Sequence, residues 1–154
     1  MKKLCTVIVV ILLAVIAGGA YKFLIQGSVV ESSDGRLAIQ LNASERDLVL
    51  QEMRTFLATI QQVTQGITEN DMVLIAESAR KVGSAAQGAV PGTLMGKLPM
   101  EFKQLGFDTH TKFDQLAMDA EDLGDGSHAL GQLSTLIQNC VSCHAVYRIE
   151  LATE

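Results

Sequence analysis

Tryptophan is absent, and aromatic residues make up only 5% of the 154-residue chain. Proline occurs twice, as Pro91 and Pro99, both in one segment. Little therefore interrupts a helix, and runs of Ala, Leu, Gln, Met and Glu supply good helix formers. Alternating β-branched strands separated by turn pairs are missing, so the expected class is all-α. Positive charge is also lacking: the formal net charge is −5. No basic patch marks a nucleic-acid partner, and none is expected. Paired carboxylates, a nucleophile–base pair and a phosphate loop are missing too, so no enzyme is expected. The length suits one domain.

The one long hydrophobic run lies at the N-terminus. Lys2 and Lys3 precede it, and no charge follows from Leu4 to Tyr21. That stretch is long enough to span a bilayer. The two lysines predict a cytoplasmic N-terminus with the rest exported, on the periplasmic side of a bacterial inner membrane. A signal peptide cleaved near Gly18-Gly19-Ala20 competes with an uncleaved anchor that continues through Ile25. The length of the run favours the anchor. Cys5 precedes the run, whereas a lipid-attachment cysteine would follow it, so Cys5 reads as a residue of the span.

The expected organisation is an anchor or signal over 1–26, a tether over 27–41 and a helical domain over 42–154. Asn42 or Ser44, with Glu45 or Asp47 three residues on, caps the first helix. Val49, Leu50, Met53, Phe56, Leu57, Ile60, Val63 and Ile67 make its apolar stripe, and Gly66 marks its end. Thr68 caps a second helix over 69–87. Residues 88–99 form a loop, and 100–106 a short helix within the connection. A third helix runs over 107–123, with Phe107, Phe113, Leu116, Ala117 and Ala120 inward. It ends at Gly124-Asp125-Gly126. Ser127 caps a fourth helix that continues to residue 150. Four amphipathic helices with mostly short connections predict an antiparallel four-helix bundle with room for a cofactor.

Chemistry concentrates in the stretch "CVSCH", residues 140–144. At about 100° per residue, Cys143 lies about 60° to one side of Cys140 and His144 about 40° to the other. All three share a helix face with Leu133, Leu136, Ile137 and Tyr147, which predicts an internal site. Zinc would call for a second ligand pair, and His110 and His128 are isolated. A redox dithiol is usual at a helix N-terminus beside a sheet, and this pair is near a helix C-terminus. A structural disulfide at helical spacing aims its sulfurs poorly. One covalent haem c fits each constraint: Cys140 and Cys143 attach it, His144 is the proximal iron ligand, and the compartment is the right one. A haem-free helical sensor or adhesion module is the remaining alternative.

The helical pattern with its one C-x-x-C-H near the C-terminus, followed by an aromatic and an arginine in "CVSCHAVYR", resembles the class II cytochromes c, the cytochrome c′ family. The resemblance spans residues 42–150. It implies that Arg148 is the family's arginine near the haem. It also implies that the first helix faces the other side of the iron. In the low-spin members a methionine from that helix binds the iron, and Met53 is placed for this. Arg46, two turns before Met53 and on the same side, would reach a haem propionate. The family spaces these two positions by four residues, whereas here the spacing is seven, with Val49 at the four-residue place. Ordinary core filling by Met53 remains open, since Met72, Met95, Met100 and Met118 show how freely the chain uses methionine. His128 lies 16 residues before His144, about 24 Å along one helix, and is no ligand. His110 reads as a solvated surface residue.

The expected function is therefore electron transfer by a membrane-tethered monohaem cytochrome, with redox proteins and the membrane as partners. The resemblance also implies a possible homodimer through the first two helices. The alternative is a five-coordinate protein binding nitric oxide or carbon monoxide. The acidic run "DAEDLGD" reads as a docking patch for a basic partner or as a solvated helix end.

Overall fold

The computed structural model describes the backbone of residues 2–152 and their side chains, except those of Lys2, Cys5 and Ala89. The reading of the Cys5 side chain lies outside the described residues. The chain is mostly helical, with six α-helices and three strands among the described residues. Helix α1 (Lys2–Ala20) passes directly into six π-helical residues, Tyr21–Gln26. Thr6–Gln26 is 21 residues long and apolar enough to be a membrane span or a signal sequence. Gly27 ends it at φ 69°, donating its N–H to the Lys22 carbonyl at 3.0 Å. A Cβ at Gly27 would lie 2.5 Å from the Lys97 carbonyl oxygen, so the close approach admits glycine alone.

The segment expected to be a tether is structured. Strands β1 (Val29–Glu31) and β2 (Leu37–Leu41) form an antiparallel hairpin, with Gly35 at φ 81° in its turn. Strand β3 (Tyr147–Leu151) then pairs in parallel with β2, Leu37 opposite Tyr147 and Leu41 opposite Leu151. Hence the domain is not all helix. The last helix stops at Val146 instead of reaching residue 150. Tyr147 is buried and Ile149 half-buried on one face of β3, and Leu151 at its end is exposed. Ala38, Ile39 and Leu41 are fully buried.

Helix α2 (Ala43–Glu69) begins at the expected capping box: the Asn42 side chain accepts from Glu45 N at 2.9 Å, and Glu45 Oε2 accepts from Asn42 N at 3.0 Å. It runs past Gly66 to Asn70, which adopts the left-handed conformation at φ 56°. Asp71, rather than Thr68, caps α3 (Met72–Arg80) by accepting from Leu74 N. That helix stops seven residues earlier than expected. At Gly83 a Cβ would fall 1.8 Å from Asp114 Oδ1, and Asp114 accepts from Ser84 N at 2.9 Å. This contact diverts the chain into a 3₁₀ turn over Ser84–Ala89, followed by the short α4 (Gly92–Met95).

Helix α5 (Met100–Leu123) merges the two helices expected over 100–106 and 107–123. Pro99 fixes its entry, and Gly106 sits inside it. An interior glycine costs about 1 kcal/mol relative to alanine, too little to break a helix packed on two neighbours. Asp125, not Ser127, caps α6 (Gly126–Val146), accepting from Ser127 N at 2.8 Å and His128 N at 3.2 Å. Helix α2 packs on α3 and α6, and α5 packs on the same two.

Two apolar clusters result. The first, among the helices, includes Phe56, Val63, Ile75, Phe113, Leu116, Leu133 and Leu136. The second, beneath the sheet, joins Ile39, Leu41, Val49, Leu94, Leu98 and Tyr147. Met53 packs against both. Phe107 is 44% exposed and is no part of the core expected for it. Phe113 is fully buried and stacks on Phe56 with ring centroids 5.6 Å apart. Phe113→Ala is expected to cost about 3–5 kcal/mol in urea unfolding. Leu130→Ala, on the solvent side of α6, is expected to change stability by less than about 0.5 kcal/mol.

Candidate functional site

The last two turns of α6 are fixed from three directions. Asn139, buried one residue before Cys140, donates to Asp108 Oδ2 at 2.7 Å and to Thr109 Oγ1 at 3.2 Å, and accepts from Lys112 Nζ at 3.1 Å. These bonds join α6 to α5. At the helix end, Arg36 Nη1 donates to the carbonyls of His144 at 3.3 Å and Tyr147 at 3.5 Å. A guanidinium is a suitable partner for the unpaired carbonyls of a helix C-terminus. Tyr147, the first residue of β3, packs edge-on against Phe102 at 5.5 Å and donates to Glu101 Oε2 at 3.2 Å.

Cys140, Cys143 and His144 line one cavity of about 440 Å³. Leu50, Met53 and Leu57 of α2 line it from one side, and Phe102, Leu105 and Thr109 of α5 from another. Its volume lies within the usual range of small-molecule sites, about 300–1,000 Å³. A smaller cavity of about 210 Å³ shares Leu50, Met53, Phe102, Cys143 and His144 and adds Arg36 and Arg148. Both cysteines are half-buried free thiols, and His144 is exposed. The site is thus a cleft, not the enclosed internal site expected from the helix face. Leu57 is 69% exposed at its rim. Burial raises the pKa of both thiols, that of Cys143 to about 11 with the charge of Cys140 adding to the effect. Burial thus disfavours the thiolate form of both.

Met53 and the CVSCH side chains therefore share a cavity. Arg148 stands at the adjoining one, bridged to Asp34 at 3.2 Å and Glu150 at 3.1 Å. Arg46 is apart: it pairs with its neighbour Asp47 at 2.8 Å and lines neither cavity. Arg36, in the segment read as a tether, is the arginine at that place. Its sequence signal was the Asp34-Gly35 turn between β-branched and apolar alternation. His128 is exposed and lies 3.1 Å from Asp119.

His110 is not a surface residue. It is only 4% exposed, with its ring 5.0 Å from that of Phe56. Its Nδ1 donates to the Val82 carbonyl at 2.7 Å, which the end of α3 leaves free, and Nε2 lies 3.3 Å from Glu52 Oε1. Burial opposes its protonation. The Glu52 carboxylate and the Val82 and Gly83 carbonyls outweigh that, and the net shift is upward.

Among the described residues, no three His, Cys, Asp or Glu side chains gather as a metal-binding group. No protein-family model, characterised protein or solved structure matches this chain.

The raised pKa of His110 sets a pH dependence. The folded state holds this proton more tightly than the unfolded chain. The associated stability is fully present below the unfolded value near 6.5 and is lost as pH rises through the folded value. Glu52→Gln is expected to cost about 1–2 kcal/mol at pH 5.5 and less at pH 8.5, measured by urea unfolding. An equal cost at both pH values would show that the pair does not hold the proton.

Proposed function

We propose that this chain is a membrane-tethered, monohaem c-type cytochrome of the class II kind that carries electrons on the periplasmic side of the membrane. The observation that carries this reading is the convergence of Cys140, Cys143, His144 and Met53 on one apolar cavity. Haem brings its own equatorial ligands, so two attachment thiols and one imidazole suffice, and no cluster of protein ligands is called for. The thiols are free and half-buried, and they line the same cavity as His144. In this reading α2, α3, α5 and α6 form an antiparallel four-helix bundle of the cytochrome c′ type. Helix α6 would hold the haem through Cys140, Cys143 and His144, and α2 would face it with Met53.

The chain's own residues then have distinct roles. His144, at the exposed end of α6, would bind the iron, and Arg36 holds the carbonyl behind it. Met53 is the thioether on the opposite wall. Arg36 and Arg148 line the adjoining cavity and are both paired to Asp34, so, like Arg46, they would have to give up a carboxylate to hold the acidic substituents of the ring. Arg46 has no part unless it leaves Asp47. When bound, haem supplies one-electron redox chemistry, and a thioether ligand raises its potential.

One observation favours a second reading. Met53 packs against both apolar clusters and is thereby engaged as a core residue. With Leu50 it would then form an apolar lid over a five-coordinate iron that binds nitric oxide or carbon monoxide.

The decisive experiment is the absorption spectrum of the purified protein, oxidised and dithionite-reduced, before and after carbon monoxide, beside an intact mass. A mass excess of one haem and sharp, split visible bands insensitive to carbon monoxide are expected. Met53→Ala is expected to convert these to broad high-spin bands that respond to the gas. Broad, gas-sensitive bands in the unaltered protein would transfer the reading to gas binding. A chain mass without haem would end both.

A further inference from the structure

A second apolar cavity, of about 390 Å³, lies on the other side of α5's inner face. Leu94, Leu98 and Phe102 contribute to its walls, and Lys103, Glu52 and His110 are its ionisable groups. Lys103 is unusual among them. It is only 9% exposed, yet no carboxylate among the described residues forms an ion pair with it. Its Nζ donates to two backbone carbonyls, Leu24 at 3.0 Å and Met95 at 3.3 Å. An ammonium has three N–H groups, so one remains for a further acceptor. A buried cation without an anion is costly, and an oxygen placed at that third N–H would reduce the cost.

The position of Lys103 gives the source of such an oxygen. Leu24 belongs to the apolar N-terminal segment, and Ser28 N, just after it, donates to the Lys97 carbonyl at 2.7 Å. The Lys103 end of the cavity thus adjoins the end of the candidate membrane span. At the other end stand Glu52 and His110. His110 is seven residues beyond Lys103 on α5, about 10 Å along the axis. The cavity therefore has mostly apolar walls, a hydrogen-bond donor beside the membrane segment and, at the level of His110, the partly exposed Glu52 carboxylate as an acceptor.

We propose that this cavity binds a quinol from the membrane. A quinol is a flat apolar ring with a hydroxyl at each end, and a hydroxyl both donates and accepts. One hydroxyl oxygen accepts from Lys103, and the opposite hydroxyl donates to Glu52. A fatty acid shares the apolar body and the oxygen head but has nothing to offer Glu52. This inference goes beyond the cytochrome reading and does not depend on it.

Anaerobic calorimetric titration of the dithionite-reduced, full-length protein in lipid nanodiscs with decylubiquinol tests it. Saturable binding of one molecule per chain is expected. Lys103→Met is expected to weaken it at least about tenfold, the effect of losing a hydrogen bond to a charged group. Since that change also releases Leu24 and Met95, Ala86→Trp is the second variant. Ala86 is an exposed residue of the 3₁₀ turn at the cavity's edge, and a bulky ring there is expected to block entry with a similar loss. Binding unaffected by either substitution, or no saturable binding, would overturn the proposal. Binding of oleate in place of decylubiquinol would overturn the quinol assignment and leave the cavity a carboxylate site. Because the heat of binding requires no haem signal, loss of the cytochrome reading and loss of this one are separately visible.

Discussion

The parallel pairing of β2 with β3 holds the C-terminal end of α6 to the start of the domain. A helix end has unpaired carbonyls and frays unless something satisfies them. Here the strand that follows α6 is joined to β2, so its last turn has no freedom to unwind independently. The same hairpin brings Arg36 to the His144 and Tyr147 carbonyls. Ile39 and Leu41 anchor the hairpin below by complete burial. Leu41 is also followed directly by Asn42, whose capping box starts α2. One small sheet therefore fixes the helix that carries the thiols and the imidazole and the helix that carries Met53.

Buried polar bonds reinforce this frame more than surface ion pairs do. Exposed pairs such as Arg80–Glu121 are each worth at most about 1 kcal/mol and are screened by salt. Glu45 is different: it is nearly buried, completes the capping box and lies 2.5 Å from Lys97. Burial raises its carboxyl pKa, and the Lys97 ammonium and the Asn42 N–H overcome this and lower it. Lys97 belongs to the segment whose carbonyl receives Ser28 N. Asn139 similarly ties α6 to α5 beside Cys140. Leaving such a group unpaired would cost roughly 1–3 kcal/mol, so these bonds fix relative positions of helices and not merely their local ends.

The sequence made the helical stripe, the Asn42–Glu45 box, the Gly124 stop and the CVSCH turn legible, because each depends on residues within a few positions of one another. What it concealed depends on distant partners. β3 is a strand only because β2, more than a hundred residues earlier, offers an edge. Without that partner, Tyr147 to Glu150 continue a helical pattern equally well. The hairpin itself was readable in Asp34-Gly35 between Val29-Val30 and Leu37, Ile39 and Leu41. Its Gly, Ser and charge content suggested a tether instead. The stripe of α2 is also narrower than its periodicity: Val49, Phe56 and Val63 are buried, whereas Leu50 and Leu57 border the cleft. The burial of His110 likewise depends on a distant partner, the Val82 carbonyl in the turn that follows α3.

The thiol cavity and the Lys103 cavity share a wall, and its residues show why the wall is thin. Glu52, Phe102, Gly106 and His110 line both. Phe102, Gly106 and His110 recur at intervals of four residues, so they form one row along α5. Between an aromatic ring and an imidazole, the row carries no side chain at its centre. A Cβ built on Gly106 meets nothing within 4 Å. Alanine there would fit and would favour the helix by about 0.5–1 kcal/mol. A leucine would extend into the space where the cavities meet. The glycine thus sacrifices local helix stability while leaving both cavities open along the same helix. Packing in a domain core normally fills such gaps. Here the unfilled space lies between two thiols and the His144 imidazole on one side and Lys103 on the other, with Glu52 and His110 in the wall common to both.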